Sequence, residues 1–464
     1  MHDKVQKILG LVDLIIIVLM VAVMLGIWGQ EEMKPAVAFV IFFSVLVNII
    51  IFWRHRIPIV LLAIGALLAF RVLTVDAFIG YAHINVIAFL LGMMIVVAFL
   101  EDRGFFDALL SILISKFGGN AKKFFMATMV LAAVFASLVG EVSSILFMCA
   151  IMLKAAKKYN VNPAPFIMSV VFATNVGSTF TLLGNPVGVL MSFEGGLTFM
   201  DFILWALPTG LIVLGVTLAL TLWLFRKDIA KMDEGMRVDK PTKTTIYDEL
   251  LGHKELRVPV LIFTGTLMGL VLQRPLEQAF GLETNVLLLA IPVVAAALSL
   301  LYGYKDAGEV VEKRVQWSTL VFFIFFFGVT GALQYSGVTQ IIASKILDLT
   351  GGNMALMIIV FLWFAGIMSA FMDNVLAVAT IIPIVASISG NFPLWWAVLF
   401  GSCFMGNLTI IGSSANIVAH TYYEKNGGRT IGFFEWLKPG MVVALSQMAV
   451  ATVLTVVLHV YLFP

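Results

Sequence analysis

The chain has 464 residues, 61% of them hydrophobic and 12% charged, with a mean hydropathy of +1.04. A soluble globular domain carries roughly 25% charged residues, so this composition excludes an ordinary soluble fold and describes a polytopic membrane protein. Its 29 basic and 27 acidic residues nearly cancel, which leaves no field to attract nucleic acid, and Cys149 and Cys403 lie in apolar runs without a disulfide or metal-ligand pattern.

A spanning helix needs about 20 apolar residues. Apolar runs bounded by charges predict spans at 11–28, 37–53, 57–74, 84–100, 201–225, 258–273, 284–303, 317–335 and 436–462. Lys4 and Lys7 precede the first run, but Gln30-Glu31-Glu32 follows it without a small-x-small cleavage pattern, so 1–35 reads as a retained N-terminal span. Two further regions, 122–193 and 354–425, are apolar yet broken by Gly, Ser, Asn, Thr and acid. Irregular backbone at membrane depth persists only when buried in protein or lining a wet cavity. Each region therefore predicts a re-entrant hairpin followed by one interrupted span, giving an all-α fold of about 11 transmembrane helices. The polar stretch 226–257, with eight basic and seven acidic residues, reads as a cytoplasmic linker between the halves 36–225 and 258–464.

Basic residues test that order, because cytoplasmic loops accumulate Lys and Arg. With the N-terminus inside and each hairpin returning to its own side, 25 of the 29 basic residues face the cytoplasm, leaving Lys34, Arg71, Arg274 and Lys345. The C-terminus then faces outward, and the plasma (inner) membrane is the expected location. Asp13 and Arg71, near span ends, read as interfacial residues. The Phe322–Phe327 run reads as packing or lipid-facing surface, and both cysteines as small apolar packing residues.

The two broken regions resemble each other. At a spacing of 233 residues, Leu100, Gly104, Gly118-Gly119-Asn120 and Val142 match Leu333, Gly337, Gly351-Gly352-Asn353 and Val375. At 228, Thr181-Leu182-Leu183-Gly184 matches Thr409-Ile410-Ile411-Gly412. One unit thus occurs twice, and the charge argument gives the copies opposite topology. Inverted repeats with discontinuous helices at matching positions point to a secondary transporter with its site at mid-membrane.

Four clusters should converge on that site. They are the hairpin tips Gly140-Glu141-Val142-Ser143-Ser144 and Met372-Asp373-Asn374-Val375, and the loops 174–186 and 406–416. The candidate binding residues are Glu141, Ser143, Ser144, Asn175, Gly177, Ser178, Thr179, Thr181, Gly184 and Asn185 from the first copy. The second supplies Asp373, Asn374, Gly406, Asn407, Thr409, Gly412, Ser413, Ser414 and Asn416. Glycines admit close backbone approach, and Asn, Ser and Thr satisfy backbone groups freed at a break. Half-helices starting at Ser143-Ser144, Pro186 and Ser414 would offer N–H groups to an oxygen, and the opposing carbonyl ends would suit a cation. An acid at membrane depth costs on the order of 3 kcal/mol or more. Asp373 and Glu141 are therefore the expected proton carriers or cation ligands, against the alternative of capping their own broken helices.

On these residues the chain resembles the ion transporter superfamily, in the branch holding arsenite permeases, the melanosomal P protein and D-type bacterial sodium/proton antiporters. The resemblance covers roughly 84–225 and 306–462. It is strongest in the second copy, where Asp373, Asn374 and Val375 keep the Asp-Asn-Val tip. The pattern Gly-Asn-x-Thr-x-Ile-Gly-x-Ser-Ala-Asn stands there as Gly406, Asn407, Thr409, Ile411, Gly412, Ser414, Ala415 and Asn416. The first copy departs: Gly140-Glu141-Val142 replaces Asp-Asn-Val, and Gly184-Asn185-Pro186-Val187-Gly188 replaces Gly-Asp-Pro-Pro-Asn. The resemblance implies a homodimer with scaffold and moving parts, coupled to a proton or sodium gradient, with no enzymatic activity, cofactor or resident metal.

The first expectation for function is export of an uncharged arsenite- or antimonite-like solute against proton entry, since neutral hydrogen-bonding loops with few carboxylates suit it. A sodium/proton antiporter is the second, with Asp373, Asn374, Glu141 and Asn185 as an oxygen cage. The third is ion-coupled uptake of di- or tricarboxylates, although the Ser-Asn-Thr tips of such carriers are absent at 140–144 and 372–376. A channel or non-transporting sensor is the alternative of another class.

Overall fold

The computed structural model describes residues 33–106, 108, 119–236, 254–305, 307–427 and 429–462. The predicted span 11–28, Asp13, Gly118 and the middle of the 226–257 linker lie outside these. The described residues form helices and no strands. In chain order the helices are α1 (Lys34–Ile51), α2 (Arg56–Ala69), α3 (Val75–Tyr81), α4 (Ile84–Asp102), α5 (Ala121–Val139), α6 (Glu141–Lys158) and α7 (Ala164–Gly177). Next come α8 (Pro186–Gly195), α9 (Phe199–Leu224), α10 (Arg226–Met236), α11 (Lys254–Val271), α12 (Gln273–Phe280), α13 (Val286–Gly303) and α14 (Ala307–Arg314). The last are α15 (Trp317–Tyr335), α16 (Val338–Thr350), α17 (Met354–Phe371), α18 (Asn374–Ala386), α19 (Phe392–Met405), α20 (Ser414–Gly427) and α21 (Phe433–Val456). Eight of these helices are long and apolar enough to cross a membrane, and the bent pair α11–α12 makes nine.

The chain divides into two units. Of the described residues, the first holds 33–87, 316–353 and 379–391. Its α15 crosses α3 closely because Gly328 and Gly331 carry no side chain: a Cβ at Gly328 would lie 2.5 Å from the Phe78 ring, and one at Gly331 would overlap Tyr81. Phe322, Phe323, Phe326 and Phe327 are buried here, so most of the Phe-rich run is packing rather than lipid-facing surface. Arg56 lies over the rings of Trp53 and Phe322, at 4.6 and 5.0 Å. Arg71 is exposed just past the end of α2.

The second unit holds the described residues of 88–315, 354–378 and 392–464, and with them all of the first broken region 122–193 and most of the second, 354–425. Helices α5, α6, α7, α8 and α9 correspond in order to α17, α18, α19, α20 and α21. Contacts repeat at the same spacings as the residues. The Thr181 hydroxyl donates to the Ser137 carbonyl, and Thr409, its counterpart, donates to the Ala370 carbonyl at 2.5 Å. Gly184 sits against the backbone of Ser178 as Gly412 sits against Gly406. At a third spacing, 230, Gly210 of α9 faces Phe180, and Gly440 of α21 faces the Asn407 and Leu408 carbonyls.

Two pairs of equivalent residues meet each other. Asn374 Nδ2 reaches Glu141 Oε2 at 3.4 Å across 233 residues, and Gln447 Nε2 donates to Thr217 Oγ1 at 2.8 Å across 230. A position that touches its own counterpart is what a two-fold axis between the copies produces. Where the prediction has one span at 258–273, the helix turns through 64° after Val271 and continues as α12 to Phe280. Part of the polar 226–257 stretch is helical as well: α10 sends Asp233 Oδ1 to accept from the Ala121 N–H at the start of α5, at 2.9 Å.

Candidate functional site

Breaks occur where glycine, proline and capping side chains make them cheap. Between α5 and α6 the chain turns at Gly140 with φ +87°, a left-handed conformation that penalises a Cβ. The next residue, Glu141, begins α6, and its N–H donates to the Gly184 carbonyl at 2.9 Å. The hairpin tip therefore rests on the break between α7 and α8. That break restarts at Pro186, in the first helical position where no N–H is needed, and Asn185 caps it by accepting from the Gly188 N–H at 3.0 Å. In the second copy Asp373 precedes α18 and Ser414 opens α20. The α6 start thus lies two residues earlier than the expected Ser143-Ser144.

All four clusters converge. Asp373 is 3% exposed; its Oδ1 accepts from the Val375 N–H at 3.0 Å, and its Oδ2 accepts from the Ser414 hydroxyl. Asn374 Oδ1 also accepts from Val375 N–H, at 2.9 Å, which turns its amide toward Glu141. Glu141 is 2% exposed, and Asp373 lies close enough for the two charges to act on each other. By hydrogen-bond geometry Glu141 Oε1 has no partner among the described residues, although the Ser178 hydroxyl lies near enough to act on the carboxylate. A buried acceptor left unpaired is costly, and a second carboxylate nearby makes the doubly ionised pair costlier still.

Many of the other candidates turn inward and hold the loops together. Asn175 Nδ2 donates to Asn407 Oδ1 at 2.7 Å and Asn416 Oδ1 at 2.8 Å, while its Oδ1 accepts from Ser413 Oγ at 3.0 Å. Asn416 Nδ2 in turn binds the carbonyls of Gly406 and Thr409, at 2.8 and 2.7 Å, tying the loop before α20 into a knot. Asn407 Nδ2 donates to Gln447 Oε1 at 2.9 Å. Ser178 Oγ binds the Asn175 carbonyl at 3.0 Å, Thr179 Oγ1 binds Val176 O at 2.8 Å, and Ser144 Oγ binds Ala132 O at 3.2 Å. Gly177 lets α7 lie on the backbone of α5 at Ala133. Ser143 is half-buried beside the tip.

Sequence reading passed over several members of this network. Cys403, taken for packing, accepts from Asn185 Nδ2 at 3.2 Å, the same amide that binds Ser178 Oγ at 3.0 Å. Ser369 Oγ ties the Ser402 and Gly412 carbonyls together, at 2.6 and 3.2 Å, and Trp436 Nε1 donates to the Asn407 carbonyl at 3.2 Å. Gln447 carried a legible signal, a carboxamide inside an apolar span. Trp436 and Ser369 carried none.

Two related copies whose hairpin tips meet, each with a broken helix, and a pair of buried acids where they join define a membrane transporter. The comparisons narrow that class. The model of the CitMHS family, described as citrate transporter, matches residues 46–401 and 329–463. The chain belongs to that family. It is 30% identical over 376 residues to a 46 kDa membrane protein of Mycobacterium leprae (strain TN), covering 79% of this chain and 84% of that one. It is 25% identical over 510 residues to the P protein of Sus scrofa, covering 92% of this chain and 60% of the relative. In fold it is similar to the YdaH transporter of Alcanivorax borkumensis (TM-score 0.53, 14% identity, 83% and 87% of the two chains). It is also similar to MtrF of Neisseria gonorrhoeae (TM-score 0.56, 13% identity, 83% and 82%).

Proposed function

We propose that the chain is a secondary active transporter that moves a small carboxylate solute together with a compensating cation, a proton in the first instance, carried by Glu141 and Asp373. The observation that carries this reading is the orphaned Glu141 Oε1 beside Asp373, with no basic side chain among the candidate site residues. Two adjacent buried carboxylates repel each other when both are ionised, so a proton or other cation taken up by the pair lowers the cost of admitting an anion beside them. The family's description supports a carboxylate cargo. The half-buried Ser143 hydroxyl and the first N–H groups of α8 supply donors a carboxylate uses.

A second reading keeps the same acids and exchanges the cargo for an uncharged inorganic hydroxide of the arsenite kind. It is favoured by the lack of Lys, Arg and His among the candidate residues and by the Cys403 thiol at Asn185. Proteoliposomes loaded in turn with labelled citrate, arsenite and sodium, with and without an imposed proton gradient, separate the two. Gradient-driven citrate accumulation supports the first reading, and arsenite movement alone supports the second. Sodium exchange for protons without either solute would replace both with the antiporter.

A further inference from the structure

A second polar cluster lies on the other half of α8, away from the hairpin tips. The bend after Val271 brings Gln273 and Glu277, four residues apart on one face of α12, into the interior at 0% and 1% exposure. Glu277 Oε1 accepts from the Leu287 N–H at 3.0 Å and from Gln273 Nε2 at 3.3 Å. Gln273 Nε2 also donates to Asn285 Oδ1 at 3.2 Å, and Asn285 Nδ2 donates to the Ser192 carbonyl of α8 at 3.0 Å.

This chain of contacts fixes its own amide orientations. The Ser192 carbonyl can only accept, so Asn285 must turn its nitrogen there and its oxygen to Gln273, which must answer with nitrogen. Gln273 Oε1 and Glu277 Oε2 are then left over, both buried and both without a hydrogen-bond partner among the described residues. The nearby guanidinium does not serve them: Arg274 is exposed and donates to Thr284 Oγ1 at 3.0 Å. A carboxylate oxygen and a carboxamide oxygen, both unsatisfied and carried by side chains whose other polar atoms meet at 3.3 Å, are ligand types of a hard cation, and one carboxylate balances one positive charge.

We infer that Gln273 and Glu277 form a peripheral site for a monovalent hard cation, sodium in the first instance, which clamps α12 to α8 through Asn285 and Ser192. Ser192 stands six residues beyond Pro186, about 9 Å along the helix axis. Asn185, at the far end of the same helix, caps it beside Ser178 and Cys403. Occupancy of the peripheral site therefore steadies the half-helix whose tip belongs to the transport site.

The test is thermal unfolding of the purified full chain in detergent, in sodium chloride against equimolar choline chloride, for the wild type, Glu277→Gln and Asp373→Asn. Sodium should raise the melting temperature of the wild type and of Asp373→Asn and leave Glu277→Gln unmoved. If Glu277→Gln is not monodisperse, Gln273→Leu decides, with apparent sodium affinity expected to fall at least about tenfold. No sodium effect in the wild type, an undiminished effect in the α12 variant, or loss of the effect in Asp373→Asn would overturn the proposal. An undiminished effect would mean that the leftover oxygens are met by a proton or water instead.

Discussion

Asn175→Ala removes a side chain that joins the end of α7 to three polar groups of the second copy. It strands Asn407 Oδ1 and Asn416 Oδ1, and takes the acceptor from the Ser413 hydroxyl, which keeps its bond from the Ala415 N–H at 3.2 Å. A stranded buried polar group costs about 1–3 kcal/mol, whereas hydrogen bonds measured inside membrane proteins average about 0.6 kcal/mol because the unfolded chain finds other partners. Two full losses and one partial loss among buried groups come to about 3–5 kcal/mol, a large share of a typical 5–15 kcal/mol stability. The neighbouring Thr174 supplies the control, since its buried hydroxyl has no partner among the described residues. Thr174→Val keeps the shape and discards an unsatisfied group, so it should be neutral or stabilising by up to about 1 kcal/mol. Unfolding of both variants in mixed micelles by sodium dodecyl sulfate, followed by circular dichroism, reads the difference. Asn175→Ala within about 1 kcal/mol of the wild type, or Thr174→Val as costly as Asn175→Ala, would refute the claim that these carboxamides brace the site rather than line it.

Gly440→Ala places a Cβ 2.7 Å from the Asn407 carbonyl oxygen, whereas Gly210→Ala meets the Phe180 ring at 2.5 Å. A backbone cannot yield as a ring can, so Gly440→Ala should lower the melting temperature more than Gly210→Ala. Gly140→Ala meets only the Leu183 carbonyl oxygen, at an ordinary contact distance of 3.8 Å, but keeps φ +87°, and should cost about 1–2 kcal/mol of stability through backbone strain. Thr217→Val and Gln447→Leu, tested singly and together, should couple by about 0.6–1.7 kcal/mol in a double-mutant cycle, whereas additive effects would deny the contact. At the polar edge, Arg314 pairs with Asp102 and lies 3.7 Å from Glu101, all partly exposed, so Arg314→Ala should cost under about 1 kcal/mol and less in high salt.

The broken helices were legible because polar residues in an apolar run have few reasons to be there. Gly140, Pro186 and the Thr181/Thr409 pair fall where the spacing puts them. What the sequence could not display is direction. Asn175, Asn407 and Asn416 have the composition of ligand-binding residues, yet they spend their amides on each other, and only the packed loops decide that. Gln273 and Glu277 escaped notice for a related reason. Beside Arg274 they read as the polar end of a span, and it takes the bend after Val271 to turn one face of α12 inward.

In the proposed cycle Glu141 and Asp373 are compensated by the coupling cation before cargo moves. Counterflow exchange of labelled solute, which needs no net ion movement, should be compared with gradient-driven accumulation for the wild type, Glu141→Gln and Asp373→Asn in proteoliposomes. The account predicts that Asp373→Asn keeps at least part of the exchange while losing accumulation, with Glu141→Gln weakened in the same direction. Accumulation at wild-type levels in both variants across the pH range would contradict it.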